Sequence, residues 1–395
     1  MRHEDRRDGP LQDEELLANV AEARFTLRDG ESFPVPLETL RIEFKLANTT
    51  LVSRAVRLAF ERGLVRVART ANAKKRAVDR DADLEQRLLD RFDKLEDAIV
   101  VRCDDLESAR AGEESAARIN DEIHRRLGLA MAQYMRNGRF FRNGERIGVG
   151  SGRAVFYAID FFSKLHKVGA RNVEIMSLTG ATYPTDHERK TNVLMDADLN
   201  VARLGVCFSR PVKLQQVTYP LINERHMVEE TIGFTPLAAE RWNQDSKSNR
   251  IPTVAIVGMG VLREGHQLFA DLEASGRAKD TRSKLRTLTE LCARIGGEPV
   301  GDICNRLLVV PDPARDKRTQ RSLETLVDTI NGGLFNVSHE QLALIPNLAL
   351  VAGDVSKVRP IQALLEDRFA HRYNVFLLCT DRATATAILS DSKWP

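Results

Sequence analysis

The sequence predicts an α/β protein built on a parallel sheet and preceded by a small helical module, and three observations carry that expectation. Two strand–helix–strand units are legible: IGV (147–149) through a helix at 154–166 to NVEIMSLTG (172–180), and NLALVAGD (347–354) through a helix at 356–369 to NVFLLCTD (374–381). Such units need a crossover and so imply parallel strands. TVAIVGMGVL (253–262) is an apolar run interrupted only by glycines, the pattern of a strand covered on both faces. The third observation is charge. Between Pro34 and Arg80 eleven Lys or Arg face four acids, a balance of +7, in a 395-residue chain whose total is +3. The remainder holds −4, so a polyanion partner is expected for that segment alone.

Residues 1–11 form a charged lead containing Gly9-Pro10 and are expected to be disordered. Leu16, Leu17, Val20, Ala21 and Phe25 recur at helical spacing within 12–26, and Gly30, Pro34 and Pro36 mark a loop. Leu37, Leu40 and Phe44 place a short second helix over 37–46. TTLVSRAVRLAFERG follows as a third helix, with Asn48 and Thr49 able to cap it and Gly63 to stop it. Val52, Ala55, Val56, Ala59 and Phe60 form its inner side, whereas Thr49, Thr50, Ser53, Arg54 and Arg57 point outward. Short hydroxyls and arginines suit a recognition helix, because they offer donors and acceptors to base edges and charge to phosphates. Leu64 to Val67 reads as one strand of a wing. The plain alternative is the surface helix of a regulatory or dimerisation segment. The expected organisation is therefore a lead (1–11), a winged helix-turn-helix (12–70), a basic linker (71–80) carrying Lys74, Lys75 and Arg76, and a larger body (81–395).

The body opens with a helix, ADLEQRLLDRFD (82–93), and a strand, AIVVRC (98–103). A long helix over 113–135 carries Ala116, Ile119, Ile123, Leu127 and Ala130 on one stripe. Further on come a strand at LQQVTYPL (214–221), a helix at 280–294, a short helix capped by Ser338, and a closing helix at 381–389. The five cysteines (103, 207, 292, 304, 379) form no C-x-x-C pair, which argues against structural zinc and a disulfide framework and for a reducing, cytoplasmic setting. The N-terminus is too charged for a signal peptide, and no apolar run reaches membrane-spanning length. A soluble protein with no membrane partner and no cofactor is expected.

The stretch with the clearest chemical promise is IGVGSGRAVFYAIDFF (147–162). Gly148, Gly150 and Gly152 permit a tight strand-to-helix turn, and Ser151 and Arg153 sit where a helix offers free N–H groups and the positive end of its dipole. This is a ready anion site, or else simply a tight connection. The spacing is neither the dinucleotide fingerprint nor a P-loop.

Taken together, GVGSGR (148–153), AIVGMG (255–260), GDICNR (301–306), VAGDVSK (351–357) and LLCTDRATATAIL (377–389), behind a winged helix-turn-helix, resemble the SorC family of sugar-binding bacterial transcriptional regulators. The resemblance runs from about Gln12 to Leu389. It implies that the body is a doubly wound, Rossmann-like domain of the sugar-phosphate isomerase type that binds a phosphorylated sugar effector, that the partners are operator DNA and other copies in a dimer or tetramer, and that the chain is not an enzyme. By position, Gly150, Ser151, Gly152 and Arg153 would cradle the phosphate and Lys357 would neutralise it. Asp302 would accept hydrogen bonds from sugar hydroxyls, with helix capping as its alternative, and Thr179 and Gly180 would lie at the adjoining strand end.

Three departures from the family pattern stand out: Ala154 where threonine is common, Asp354 in place of the second glycine of V-A-G-G, and a helix-turn-helix turn one residue short and lacking glycine, which is either rebuilt around Asn48 or belongs to a domain that no longer docks in the usual way. Asp354 would weaken phosphate binding if it faced inward. GMGVLREGHQLF (258–269) is faintly similar to the deaminase and lactonase G-x-G-x-D-G-H element, so an enzyme using Glu264 or His266 as acid or base is the rival reading. A DNA-binding protein that no longer senses an effector is the third.

Overall fold

Unit by unit, the fold follows from where apolar side chains recur. The computed structural model describes residues 13–25, 37–47, 49–62, 64, 78–107, 113–136, 140–165, 167–180, 196–215, 251–262, 279–334 and 336–390. Two compact units divide the chain at Ala77/Val78. In the first, helices α1 (Glu14–Phe25), α2 (Leu37–Glu43) and α3 (Thr49–Glu61) close over Leu17, Val20, Leu40, Val52, Ala55 and Ala59, all fully buried. Val56 is half-buried. The end of α2 differs from expectation. Lys45 adopts φ +51°, Lys45 N–H donates to Ile42 O and Leu46 N–H to Arg41 O, which is a Schellman closure with lysine in the place glycine usually takes. Among the described residues it is therefore Lys45 that rebuilds this turn; Asn48 lies outside them, as do the wing residues 65–67 and Lys74, Lys75 and Arg76.

The second unit begins with α4 (Ala82–Arg91), capped by Asp81, then β1 (Asp97–Val101), the short α5 (Asp104–Glu107) and the long α6 (Glu113–Arg136). Next come β2 (Arg146–Val149), α7 (Arg153–Leu165), β3 (Glu174–Ser177), α8 (Ala197–Gly205), β4 (Lys213–Gln215) and β5 (Val254–Val261). The chain continues through α9 (Lys279–Ile295), β6 (Val300–Ile303), β7 (Arg306–Val309), α10 (Lys317–Asn331), α11 (His339–Leu344) and β8 (Leu348–Val351). It ends with a 3₁₀ turn (Val355–Lys357), α12 (Val358–Leu365), β9 (Val375–Asp381) and α13 (Arg382–Ser390).

Seven strands pair in parallel in the order β1-β9-β8-β5-β2-β3-β4. Period-two side chains divide this sheet into two cores. Ile99, Val101, Ile147, Val149, Ile256 and Val351 pack under α6, α7 and α8, while Ala98, Val100, Ala255, Val257, Leu348 and Leu350 pack under α4, α11, α12 and α13. From β2 the chain runs to β3 and β4 on one side, then returns to β5, β8 and β9 on the other. The order thus reverses between β2 and β5, and the crevice at the carboxyl ends of those strands is where doubly wound sheets bind ligands. A third core, containing Leu285, Leu288, Leu307, Leu323 and Val327, joins α9 and α10 to the antiparallel β6–β7 hairpin on the end of β5.

The expected helix over 356–369 divides into two pieces. The 3₁₀ turn precedes α12 because Pro360, lacking an N–H, is tolerated only in a helix's first turn. The end comes at Leu365 through a second Schellman closure, with Asp367 at φ +54° and Arg368 N–H donating to Ala363 O. The 214–221 strand is observed as Lys213–Gln215, with 216–221 outside the described residues. Among the described residues no helix is long and apolar enough to cross a membrane, and the five cysteines are free and buried.

Candidate functional site

The glycine turn sits on the switch point. Gly150 N–H donates to Ile256 O at 2.9 Å, tying the turn to β5. Gly152 has φ +114°, a backbone state side chains rarely tolerate, and α7 starts at the next residue with its N–H groups aimed back at the turn. Arg153 is exposed at this terminus and Ala154 is buried.

Across the crevice, β8 leads through Gly353 and Asp354 to Lys357. A Cβ on Gly353 would fall 2.4 Å from Asp381 Oδ2, so glycine is required there. Asp381 holds the loop by accepting from Asp354 N–H at 2.8 Å and caps α13 through Thr384 N–H at 2.9 Å. Asp354 takes φ +95°, strained for a non-glycine residue, and its Oδ1 accepts from Ser356 N–H at 3.1 Å. One carboxylate oxygen is thereby committed to capping the 3₁₀ turn.

Lys357 meets a residue the sequence reading missed: its Nζ donates to His124 Nε2 at 3.4 Å. Burial, then the Lys357 and Arg153 cations, hold the His124 imidazole down at about 3, so it stays neutral and accepts. The structure therefore gathers Arg153 from α7, Lys357 from the β8 loop and His124 from α6 at the carboxyl edge of the sheet. The only local signal for His124 was its place one residue after the Ile119/Ile123/Leu127 stripe and four before Gly128.

The GDICNR segment forms a hairpin, and Asp302 lies within its first strand, β6. Cys304 and Asn305, at φ +54° and +60°, make a two-residue turn of the mirror-image type that matches strand twist. This tip rests on the glycine turn. Asn305 Nδ2 donates to Ser151 Oγ at 3.1 Å, and a Cβ on Gly150 would lie 3.2 Å from Cys304 Sγ. Burial pushes the Cys304 thiol far up and Asp302 adds to the effect, which excludes a reactive thiolate. Asp302 is itself buried against β5, where any side chain at Gly260 would collide with its Oδ1.

Thr179 and Gly180 follow β3, both buried. Thr179 forms a bridge with Asn336, whose Nδ2 donates to Cys304 O at 3.0 Å and whose Oδ1 accepts from Arg306 Nη1 at 2.7 Å, so the β3 end and the hairpin are joined. Among the described residues, two fully buried side chains on this side lack partners: Thr179 Oγ1, and both amide atoms of Asn200 on the inner stripe of α8. Arg203, one turn further along α8, lies over Phe156 in the first turns of α7 at 4.7 Å, so Asn200 is placed toward the start of α7. Unpaired buried polar groups cost about 1–3 kcal/mol each and call for an explanation.

In the first unit, Arg54 is exposed and Thr49 half-buried on α3; the side chains of Thr50, Ser53 and Arg57 lie outside the described residues, as do Glu264 and His266.

No protein-family model matches the chain, and neither does any curated protein. Solved structures do. The full-length sorbitol operon regulator SorC from Klebsiella pneumoniae aligns over 96% of this chain and 99% of its own, at 18% identity and a TM-score of 0.52. The fold is that of SorC. A DeoR family transcriptional regulator from Listeria monocytogenes aligns over 78% of this chain and 98% of its own (18% identity, TM-score 0.52). A domain of a Vibrio fischeri transcriptional repressor, described as sugar-binding, does so over 78% and 98% (17% identity, TM-score 0.54). At these identities the likeness is one of fold, and the expected doubly wound architecture is thereby established.

Two half-buried histidines make stability pH-dependent. His339 accepts from Tyr373 OH through Nδ1 at 2.8 Å and donates from Nε2 to Leu307 O at 3.0 Å, and burial with nearby Arg306 holds it at about 4. Unfolded histidine titrates near 6.5, so below that pH the unfolded chain takes up protons that native His339 and His124 refuse. Stability is expected to fall by about 3–4 kcal/mol between pH 7 and pH 5 from these two groups. Urea unfolding at both pH values checks it, and equal stabilities would refute it.

Proposed function

We propose that the chain is a DNA-binding transcriptional regulator whose operator binding is controlled by a phosphorylated sugar at the β2/β5 switch point. The observation that carries this reading is the meeting of Arg153 and Lys357 at neutral His124, beside the α7 terminus. Backbone N–H groups of the 150–153 turn and the two cations suit a phosphate group. Buried Asp302, Thr179 and Asn200 suit sugar hydroxyls on its far side, and Gly180 lets the β3 end approach the ligand. Asp354 tunes the site through its charge, with one oxygen already engaged.

In this reading α3 enters the major groove, presenting Thr49, Thr50, Ser53, Arg54 and Arg57, and homo-oligomers span paired half-sites in the cytoplasm. The chain is a sensor rather than a catalyst. The effector acts through its different affinities for the DNA-competent and DNA-incompetent arrangements.

Separation of the two activities tests the proposal. Arg54→Ala is expected to weaken duplex binding by roughly tenfold, the scale of one lost charged contact, with sugar-phosphate affinity by calorimetry unchanged. Loss of both together, or of neither, counts against it.

A further inference from the structure

A second cationic surface lies in the larger unit, away from the switch-point crevice. The outward faces of α9 and α10 border an open groove of about 790 Å³, walled by Arg294, Lys317, Arg318 and Arg321 and floored by Leu291 and Leu326. None of the four cations forms an ion pair with a described carboxylate. Glu290 stands one turn before Arg294 on α9 without an ion pair to it among the described residues, and the nearest acids of α10 are engaged in hydrogen bonds. Asp316 caps α10 by accepting from Arg318 and Thr319 N–H, and Glu324 accepts from Gln320 Nε2 at 2.7 Å. The inner faces of both helices are spent on the third core through Leu285, Leu288, Leu323 and Val327. The cations are thus not needed for packing, and like charges gathered without an ion pair among the described residues work against the folded state.

We propose that this groove is a second nucleic-acid contact, taking the phosphate backbone of duplex DNA. From Lys317 to Thr325 the wall is ~12 Å long at 1.5 Å per residue. Phosphates recur about every 3.4 Å of axis along one strand, so the wall spans three to four of them, the number four cations can neutralise. Ser322 and Thr325, which also line the groove, are side chains that commonly contact phosphate oxygens. Two leucines are too small an apolar floor for the aromatic and arginine anchors of a protein hot spot, which favours the polyanion over an acidic protein. The inference rests on the DNA-binding reading for its ligand but not on α3.

The test is the salt dependence of binding of the full chain to a 30-base-pair duplex. Arg318→Ala/Arg321→Ala is expected to make the slope of log K against log salt shallower by about 1.8, at about 0.9 per cation. Arg318→Lys/Arg321→Lys is expected to keep the wild-type slope and melting temperature, and the alanine variant to melt no lower than wild type because the side chains are exposed. An unchanged slope in the alanine variant, with Arg54→Ala still weakening the complex, overturns the groove as a DNA contact and leaves the regulator reading standing. Failure of the wild-type chain to bind duplex at all overturns both. Loss of poly-glutamate peptide binding in the alanine variant, with duplex binding and its salt slope unchanged, overturns the nucleic-acid assignment in favour of an acidic protein.

Discussion

Lys357→Ala is expected to lower affinity for a phosphorylated sugar roughly 10- to 100-fold, with little change in affinity for the same sugar lacking phosphate. Lys357 is half-buried at the start of α12, and its Nζ donates to neutral His124. A hydrogen bond to a charged group contributes about 1.5–3 kcal/mol, which sets the range. A second readout separates this role from a merely structural one. Lys357 is one of the causes that depress His124, so its removal lets the imidazole titrate higher and lessens the loss of stability below pH 6.5. Calorimetry at pH 7 and urea unfolding at pH 5 measure the two effects, and equal losses for phosphorylated and plain sugar would mean that Lys357 does not meet the phosphate.

Gly128→Ala is expected to destabilise the larger unit by about 2 kcal/mol or more and to weaken the anion site with it. A Cβ there would stand 2.3 Å from Tyr157 Cβ and 2.7 Å from Ala158 N, so α6 and α7 would have to separate. Overpacking of this kind costs about 1–3 kcal/mol, occasionally more. The gain in helix propensity from glycine to alanine is about 1 kcal/mol. Backbone atoms cannot rotate away as side chains can, so the clash wins. Since α6 carries His124 and α7 begins with Arg153, the same separation pulls the site's nitrogens apart. Gly169→Ala is the control: nothing lies within 4 Å of its Cβ, and a neutral or slightly stabilising result is expected. Thermal or urea denaturation of the two variants decides the matter.

Elements with a clean period were legible in the sequence. The β5 run, the βαβ unit at 147–180 and the α6 stripe show apolar spacing that only one kind of element can bury. Ser338 and Gln341 likewise form a complete capping box at α11. The helix α10 was missed although Leu323, Val327 and Ile330 carry its stripe, because charged and hydroxyl residues crowd the rest of KRTQRSLETLVDTIN. The β6–β7 hairpin was hidden by its turn: Cys304 and Asn305 take left-handed backbone without the Asn-Gly pair that usually announces it. At the site, residues adjacent in sequence were found together and those joined only by packing were not. The 150–153 turn and Lys357 came from motifs, whereas His124, Asn200 and Asn305 reach the crevice from α6, α8 and the hairpin, across distances that no local pattern encodes. Asp354 shows the complementary case: its charge was visible in sequence, but its role as cap of the 3₁₀ turn depends on a backbone held by Asp381.

A ligand bound at the β2/β5 switch point is expected to control the binding of DNA. Fluorescence anisotropy of a duplex from the protein's own upstream region, titrated with the full chain at fixed salt with and without phosphorylated sugars, tests it most directly. At least one phosphorylated sugar is expected to change the dissociation constant for DNA by about 5- to 150-fold, the usual range of coupling between sites, and Lys357→Ala to abolish the change. A DNA affinity unaltered by every phosphorylated sugar that measurably binds the chain would contradict it.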